Sequence, residues 1–492
     1  MKSKKYLLAI DEGTTGQRAV LFSARDMRAV TSSSTPVHSS YPSDGWVEQD
    51  AEQIYRNEML CIRRLFESGK YSASEVIAVG ITNQRESVVI WDKKTGKPLA
   101  PCVSWQCRRT ADECENLKKQ GYLELVKQKT GLVLDAYFSA TKLKWLLDNT
   151  AGAREKARRG ELLAGTLDSY LVYRLTKGAK HVTDVTNASR TMLFNIHEMK
   201  WDDELLELFG IPREILPEVT ECTGDFGSVE VDGVSIPIRG IAGDQQASLI
   251  GQACFEKGDV KCTYGTGAFI LANIGDVPQI TDSPLITTVA YSIAGKTAYA
   301  FEGSVFNAGS VINWLESVGI ISNAKESEVL ASSVPDSGGA YLIPAFTGMG
   351  APYWDMNCRA AIVGITRATK KEHIVRAGLE SIALRCGEVF DMMSEALGSP
   401  LGALRADGGV SNNRLLLGLQ SDIICAEVRR SIEIESTALG AAYLASIGSG
   451  RSDLDKIKVN HSYADNYLPT KVGSKIEKLK DGWKKAVNSM LS

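Results

Sequence analysis

The residues best suited to chemistry lie near the middle of the chain, in GIAGDQQASLIGQACFEKGDVKCTYGTGAF (240–269). Asp244, Gln245 and Gln246 sit inside a glycine-bearing turn, and Gly265-Thr266-Gly267 turns again between β-prone residues. A buried carboxylate can serve as a base, and a glycine turn offers backbone N–H groups to anionic oxygens. A second set opens the chain. The apolar run Tyr6 to Ile10 ends at Asp11, and EGTTGQ (12–17) turns into a strand from Arg18 to Phe22. That hairpin tip suits phosphate oxygens, and Asp11 could hold a cation through water. The third set is Arg85 and Glu86, after the apolar strand Val76 to Ile81. Arg donates and Glu accepts, which suits a polyol. Each set also has a plain structural reading: a helix-capping Asp, a surface hairpin with an Asx-turn, a solvated charged turn.

Regular elements must hold these sets in place. Asp50 is positioned to cap a helix from Ala51 to about Phe66, with Gln53 three residues on. Helices are expected over Thr110 to Lys119, Thr141 to Leu147, Leu167 to Leu175, Trp201 to Phe209, Gln246 to Phe255 and Ser304 to Ser317. A long apolar-faced helix is expected over Lys371 to Leu397. The polar stretch Thr183 to Thr191 reads as a loop, and Val229 to Ile238 as a hairpin around Asp232-Gly233. Leu404 to Asp407 delivers GGVSNN (408–413) to a helix over Arg414 to Ile424; such glycines can lie flat against a base or ribose. The small-residue helix Glu435 to Ile447 suits close packing, and a basic helix, Lys475 to Leu491, follows. Strand, Gly/Thr turn, strand over 260–273 echoes 6–22, which suggests two related halves divided near residue 250.

Composition excludes several classes. At 492 residues, two large domains are the default. With 44% hydrophobic and 23% charged residues and a net charge of −3, nothing points to disorder or nucleic-acid binding. The 10 cysteines form no CxxC pair and the 5 histidines no HExxH, so neither a disulfide framework nor a histidine metal site is expected. No apolar run reaches 18 residues, so no membrane span is expected. MKSKKYLLAI is too short in its apolar part for a signal peptide, and a cytoplasmic location is the expectation.

The sequence resembles the glycerol kinases of the FGGY carbohydrate kinases, within the sugar kinase, heat-shock ATPase and actin superfamily. The match is carried by DEGTTGQRAV (11–20), GWVEQD (45–50), GITNQRE (80–86), SWQCRRT (104–110), TGLVLDAYFSATKLKWLLDN (130–149), TDVTNASRTMLFNI (183–196), IPREILPEV (211–219), GIAGDQQASLIGQ (240–252), YGTGAF (264–269), FTGMGAPYWD (346–355) and DGGVSNN (407–413). NQRE, WQCRRT and AGDQQ are the motifs specific to glycerol kinases. The resemblance implies an α/β protein of two actin-like (ribonuclease H-like) domains, 1–250 and 251–492. Each would be a mixed sheet flanked by helices, with glycerol and Mg-ATP meeting in the cleft between them. Arg85, Glu86, Tyr137, Asp244 and Gln245 would hold glycerol, with Trp105 and Phe269 against its carbons. Asp244 would be the general base, and Asp11 would hold Mg2+ largely through water. Thr14, Thr15, Gly16, Arg18 and Thr266 would lie along the phosphates, and Gly309, Asn313, Gly409 and Asn413 would border the nucleotide. A homodimer or homotetramer is implied, with no nucleic-acid partner.

Departures from the family pattern are local. The family commonly has Gln at position 12 and Ser at 16 and 17, where this chain has Glu12, Gly16 and Gln17. Glu12 adds negative charge near the expected phosphates unless it points away or helps with Mg2+. Position 313 is usually Gln and is Asn here, and the loop before the paired Asn residues is often one residue longer than GGVSNN. The segment Val231 to Ile236 lacks the Gly-Gly-Thr-Arg pattern and the histidine used for regulation in some relatives, so neither fructose 1,6-bisphosphate binding nor phosphorylation is expected. The rivals are a kinase for another polyol or a ketose, a catalytically dead relative, and an NAD enzyme. The last is disfavoured because no GxGxxG follows the first strand.

Overall fold

The computed structural model describes residues 4–346, 348–350, 352–353, 355, 357–433, 435–470 and 473–491. Thr347, Ala351 and Trp354 of the 346–355 motif, and Met1 to Ser3, lie outside the described residues. Two mixed sheets organise the chain. The first runs Ser228–Val231, Val234–Gly243, Val76–Asn83, Tyr6–Glu12, Gly16–Ser23, Ala29–Pro36. The second runs Ile286–Ile293, Lys296–Val305, Ala268–Gly275, Val260–Tyr264, Leu404–Asp407, Val428–Ser431, Tyr463–Tyr467. In each sheet the opening strand pairs antiparallel with the next strand in sequence and parallel with a much later one. The pattern echo between 6–22 and 260–273 is thus an echo of topology. Parallel neighbours need long crossovers, and here those carry the helices.

Local sequence explains many of the elements. Asp50 accepts from the Glu52 and Gln53 N–H groups and starts the helix Ala51–Arg64. Asp202 likewise starts Asp203–Phe209, and Gly210, at φ 60, ends it. The helices Leu167–Leu175, Lys371–Leu397 and Arg414–Ile424 occupy the expected bounds. Several segments differ from expectation. The helix expected from Trp201 starts at Asp203, because Lys200 and Trp201 form a strand. The helix after the Asp-Gln-Gln cluster runs Asp244–Gly251, two residues earlier at its start and shorter at its end. The helix expected from Ser304 starts at Gly309, because Ser304 and Val305 complete a strand. The polar stretch 183–191 is ordered and buried: strand Val182–Asp184 leads into a helical turn, Val185–Ala188, capped by Asp184.

One helix crosses between the two halves of the sequence. Ser436–Gly448 packs on the first sheet and against the helix Asp244–Gly251. Its small residues permit backbone contact. A Cβ on Gly80 would overlap the Ala441 carbonyl, and one on Gly440 would overlap the Ala247 carbonyl. A larger side chain at either position would push the helix off the sheet. No helix among the described residues is long and apolar enough to cross a membrane.

Candidate active site

Sheet pleating selects which side chains meet. In the second sheet, Lys261 lies opposite Leu271, Thr263 opposite Phe269, and Glu302 opposite Leu271. Directly paired residues, and residues two apart on a strand, share a face. Lys261, Thr263, Phe269 and Glu302 therefore project together. From the first half come Arg85 and Glu86, just past the strand Val76–Asn83, and Asp244, just past Val234–Gly243. These two strands are parallel neighbours, so their carboxyl ends fall side by side.

The result is a locked network of charges. Arg85 Nε lies 3.1 Å from Asp244 Oδ1. Arg85 also bonds Glu302 in bidentate fashion, at 2.6 and 3.1 Å, and its Nη1 donates to Gln246 Oε1 at 3.2 Å. Arg190 bridges Glu302 at 2.9 Å and Glu86 at 2.5 Å. Arg85, Glu86, Arg190 and Glu302 are all buried, whereas the Asp244 side chain is 32% exposed. Burial alone would raise the Glu302 carboxyl, but Arg190 and Arg85 together pull it down to about 2, so it stays ionised. Glu86 has a φ of 63°, a backbone strain that few non-glycine residues carry and that functional sites often hold. Beside this network, Trp105 and Tyr137 meet edge to face, with centroids 5.6 Å apart, and Lys142 Nζ donates to the Tyr137 carbonyl at 2.6 Å.

The candidate phosphate groups form two glycine turns. In the first, Gly13 N–H donates to the Gly16 carbonyl at 3.1 Å, and Thr14, Thr15 and Gly16 are partly or fully exposed. The Trp105 indole donates to Thr14 Oγ1 at 2.9 Å, so the turn is tied to the Trp105–Tyr137 wall. In the second, Gly265 N–H donates to the Gly267 carbonyl, and the Ala308 and Ser310 N–H groups donate to the Thr266 carbonyl. Gly309 stacks so closely that a Cβ would overlap the Gly265 carbonyl and press on Val410. Thr266, Gly309 and the 408–410 loop thus assemble. Gly409 and Asn313 are exposed nearby in sequence order, but Asn413 is spent within the fold: its Oδ1 caps Leu416 N–H and its Nδ2 donates to Ser327. Phe269 lies half-buried in the strand that leaves the second turn. No hydrogen bond joins the two turns among the described residues.

Asp11 and Glu12 part company because successive strand residues face opposite ways. Asp11 pairs with Arg18 and shares its face; Arg18 makes an ion pair with Glu435 at the start of the crossing helix. Burial pushes the Asp11 carboxyl up to about 7 against the pull of Arg18, with Glu435 and Asp244 adding to the rise. A divalent cation would keep it ionised. Among the described residues, no cluster of three or more His, Cys, Asp or Glu is arranged to cage a metal. One carboxylate with phosphate oxygens and water is the donor set that magnesium usually takes, so Asp11 fits that ion. Glu12 turns to the other face, where Gln84 Nε2 donates to it at 2.8 Å, and away from Asp11 and Arg18.

Three residues of this site carry no local sequence signal: Arg190, Glu302 and Lys261. Glu302 lies 217 residues from Arg85 and is one acid in an apolar strand. The pattern that could have revealed it is a charged residue in a strand whose pleat faces the Thr263–Phe269 pair.

Comparison with known proteins agrees with this geometry. Residues 6–251 match the N-terminal domain, and residues 260–449 the C-terminal domain, of the FGGY family of carbohydrate kinases. A protein of Carboxydothermus hydrogenoformans named glycerol kinase is 50% identical over 99% of this chain and 98% of its own length. A Thermotoga maritima protein named glycerol kinase 2 is 47% identical over 99% of both. The crystal structure of Plasmodium falciparum glycerol kinase with ADP superposes with a TM-score of 0.94 at 34% identity, covering 100% of this chain and 99% of that one. With both domain types matched in order across two sheets of repeated topology, the chain belongs to the FGGY family of carbohydrate kinases.

Proposed function

We propose that this protein transfers the terminal phosphoryl group of ATP to glycerol, giving glycerol 3-phosphate, with Asp244 as the general base. The observation that carries the reading is the Arg85–Asp244 pair: a buried guanidinium holds one oxygen of a carboxylate that is still 32% exposed. Asp244 Oδ1 accepts from Arg85 Nε and from the Gln245 N–H at 2.7 Å, which leaves Oδ2 for the proton of the attacking hydroxyl. A primary alcohol is a weak nucleophile, so a carboxylate aimed at its proton is the chemistry required. Relatives about half identical over their whole length carry the name glycerol kinase, which favours glycerol over a ketose.

Arg85 and Glu86 would grip the hydroxyl groups, with Gln245 and Tyr137 completing the cradle. Trp105 and Phe269 would cover the carbons. Thr14, Thr15, Gly16 and Arg18 on one turn, and Thr266 on the other, would lie along the phosphates. Arg18 would exchange Glu435 for a phosphate oxygen. Magnesium, bound with the nucleotide and held by Asp11, would offset the phosphate charge. Gly309, Asn313 and Gly409 would border the nucleotide, with the backbone at Asn413 behind them. Residues 1–250 would thus carry the polyol and the base, and 251–492 most of the nucleotide. The test is ADP release with ATP and a panel of glycerol, erythritol, pentuloses and hexuloses. Glycerol should give the highest kcat/KM; a faster ketose would overturn the substrate assignment.

A further inference from the structure

We propose that Lys261 is a positioning residue that fixes the Gln245 side chain so that its amide nitrogen, and not its oxygen, is offered to the polyol. The inference rests on the polyol-kinase reading and names one of its specificity determinants. Lys261 is fully buried in the strand Val260–Tyr264. Its Nζ donates to Gln245 Oε1 at 2.6 Å and to Thr263 Oγ1 at 2.9 Å. An ammonium group has three donors and no acceptor, so the end of the amide facing it must be the carbonyl. The orientation of Gln245 is therefore set by chemistry. Its Nε2 then faces away from Lys261 and makes no hydrogen bond with another described residue.

A buried ammonium is costly unless a counter-charge is near. Asp407 supplies one: it lies opposite Thr263 on the neighbouring parallel strand, so it shares the face of Thr263 and Lys261, and Ser248 donates to its Oδ2 at 3.0 Å. The cation is thus built into the second sheet, while the amide that it orients belongs to the helix Asp244–Gly251 at the end of the first. The consequence is an ordered pair at adjacent residues. Asp244 accepts, and Gln245 donates. A ligand fits when one hydroxyl gives its proton to Asp244 and a neighbouring oxygen accepts from Gln245, which a vicinal polyol does.

The test is a double-mutant cycle with one isosteric control. Gln245→Glu keeps an inward oxygen for Lys261 and replaces the outward donor by an acceptor. It should fold and keep its KM for ATP, but its KM for the polyol should rise at least tenfold. Lys261→Met should raise the polyol KM by a similar factor in the wild-type background and by less than twofold in a Gln245→Ala background. Equal effects of Lys261→Met in both backgrounds, or a wild-type polyol KM in Gln245→Glu, would overturn the proposal. If Lys261→Met does not fold, Lys261→Gln replaces it in the same cycle, and the same two outcomes decide. Every KM is read on whichever polyol or sugar the wild type phosphorylates fastest, so a failure of the glycerol assignment and a failure of this inference are separate results.

Discussion

The proposed substrate side and the proposed phosphate side of this site are built on opposite principles. Around Arg85, four buried charges, Arg85, Arg190, Glu86 and Glu302, bond one another and leave only Asp244 partly exposed. Around Gly13–Gly16 and Gly265–Gly267 the groups on offer are mainly backbone N–H groups and exposed hydroxyls, with the Trp105 indole on Thr14. A neutral polyol must be recognised by direction, so its donors and acceptors are fixed in advance. Phosphates bring their own charge and need only N–H groups and hydroxyls that can reach them. The difference predicts that damage on the substrate side costs fold and binding together, while damage on a turn costs nucleotide alone.

The largest effect is expected at Glu302. Glu302→Gln leaves Arg85 and Arg190 buried with Glu86 and Asp244 as their remaining counter-charges. Breaking a buried pair costs on the order of 3–5 kcal/mol, so denaturant unfolding should show a loss of that size. Calorimetry should show weaker glycerol binding with nucleotide binding preserved. Equal loss of both ligands would erase the contrast between the two sides. A smaller effect belongs to Thr266→Ala. Removal of one hydroxyl from an exposed turn should change stability by less than about 0.5 kcal/mol. Steady-state kinetics should show a raised KM for ATP and an unchanged KM for glycerol.

A pH-dependent effect, read on stability alone, belongs to a residue outside both glycine turns. Glu58 is buried on the helix Ala51–Arg64, and both its oxygens lack partners among the described residues. Burial holds its carboxyl well above 4.5, with Glu12 adding to the rise. The folded state thus keeps a proton that the unfolded state loses above about 4.5. Stability from this group is full below that value and falls as pH climbs toward the folded value, by at most about 1.4 kcal/mol per pH unit. Glu58→Gln should therefore gain Tm over wild type at pH 8 and little at pH 5. An equal shift at both pH values would show that Glu58 is ionised in the fold.

How much of this was written locally in the chain follows the same divide. The helices Leu167–Leu175, Lys371–Leu397 and Arg414–Ile424 were readable because apolar periodicity and end signals lie within them. Both glycine turns were readable for the same reason. The stretch 183–191 was not. Its Thr, Asn and Asp residues look solvated, yet Asn187 bonds Asn83 and Asp184 in the interior, at partners up to 104 residues away. For Glu12 the sequence leaves open whether the charge sits near phosphate, helps with Mg2+ or points away, and strand alternation sends it to the other side. Arg190, Glu302 and Lys261 gain meaning only when the two sheets meet, because each acts on a residue far off in sequence or on another element.

The central claim is that Asp244 takes the proton of the attacking hydroxyl while Arg85 and its partners hold the substrate. Asp244→Asn keeps shape and removes the base. Its turnover in an ADP-release assay, paired with glycerol affinity by calorimetry, measures the claim directly. General-base catalysis is worth roughly 100- to 10,000-fold, so kcat should fall within that range while glycerol still binds within about tenfold of wild type. Near-normal turnover in Asp244→Asn would contradict the account.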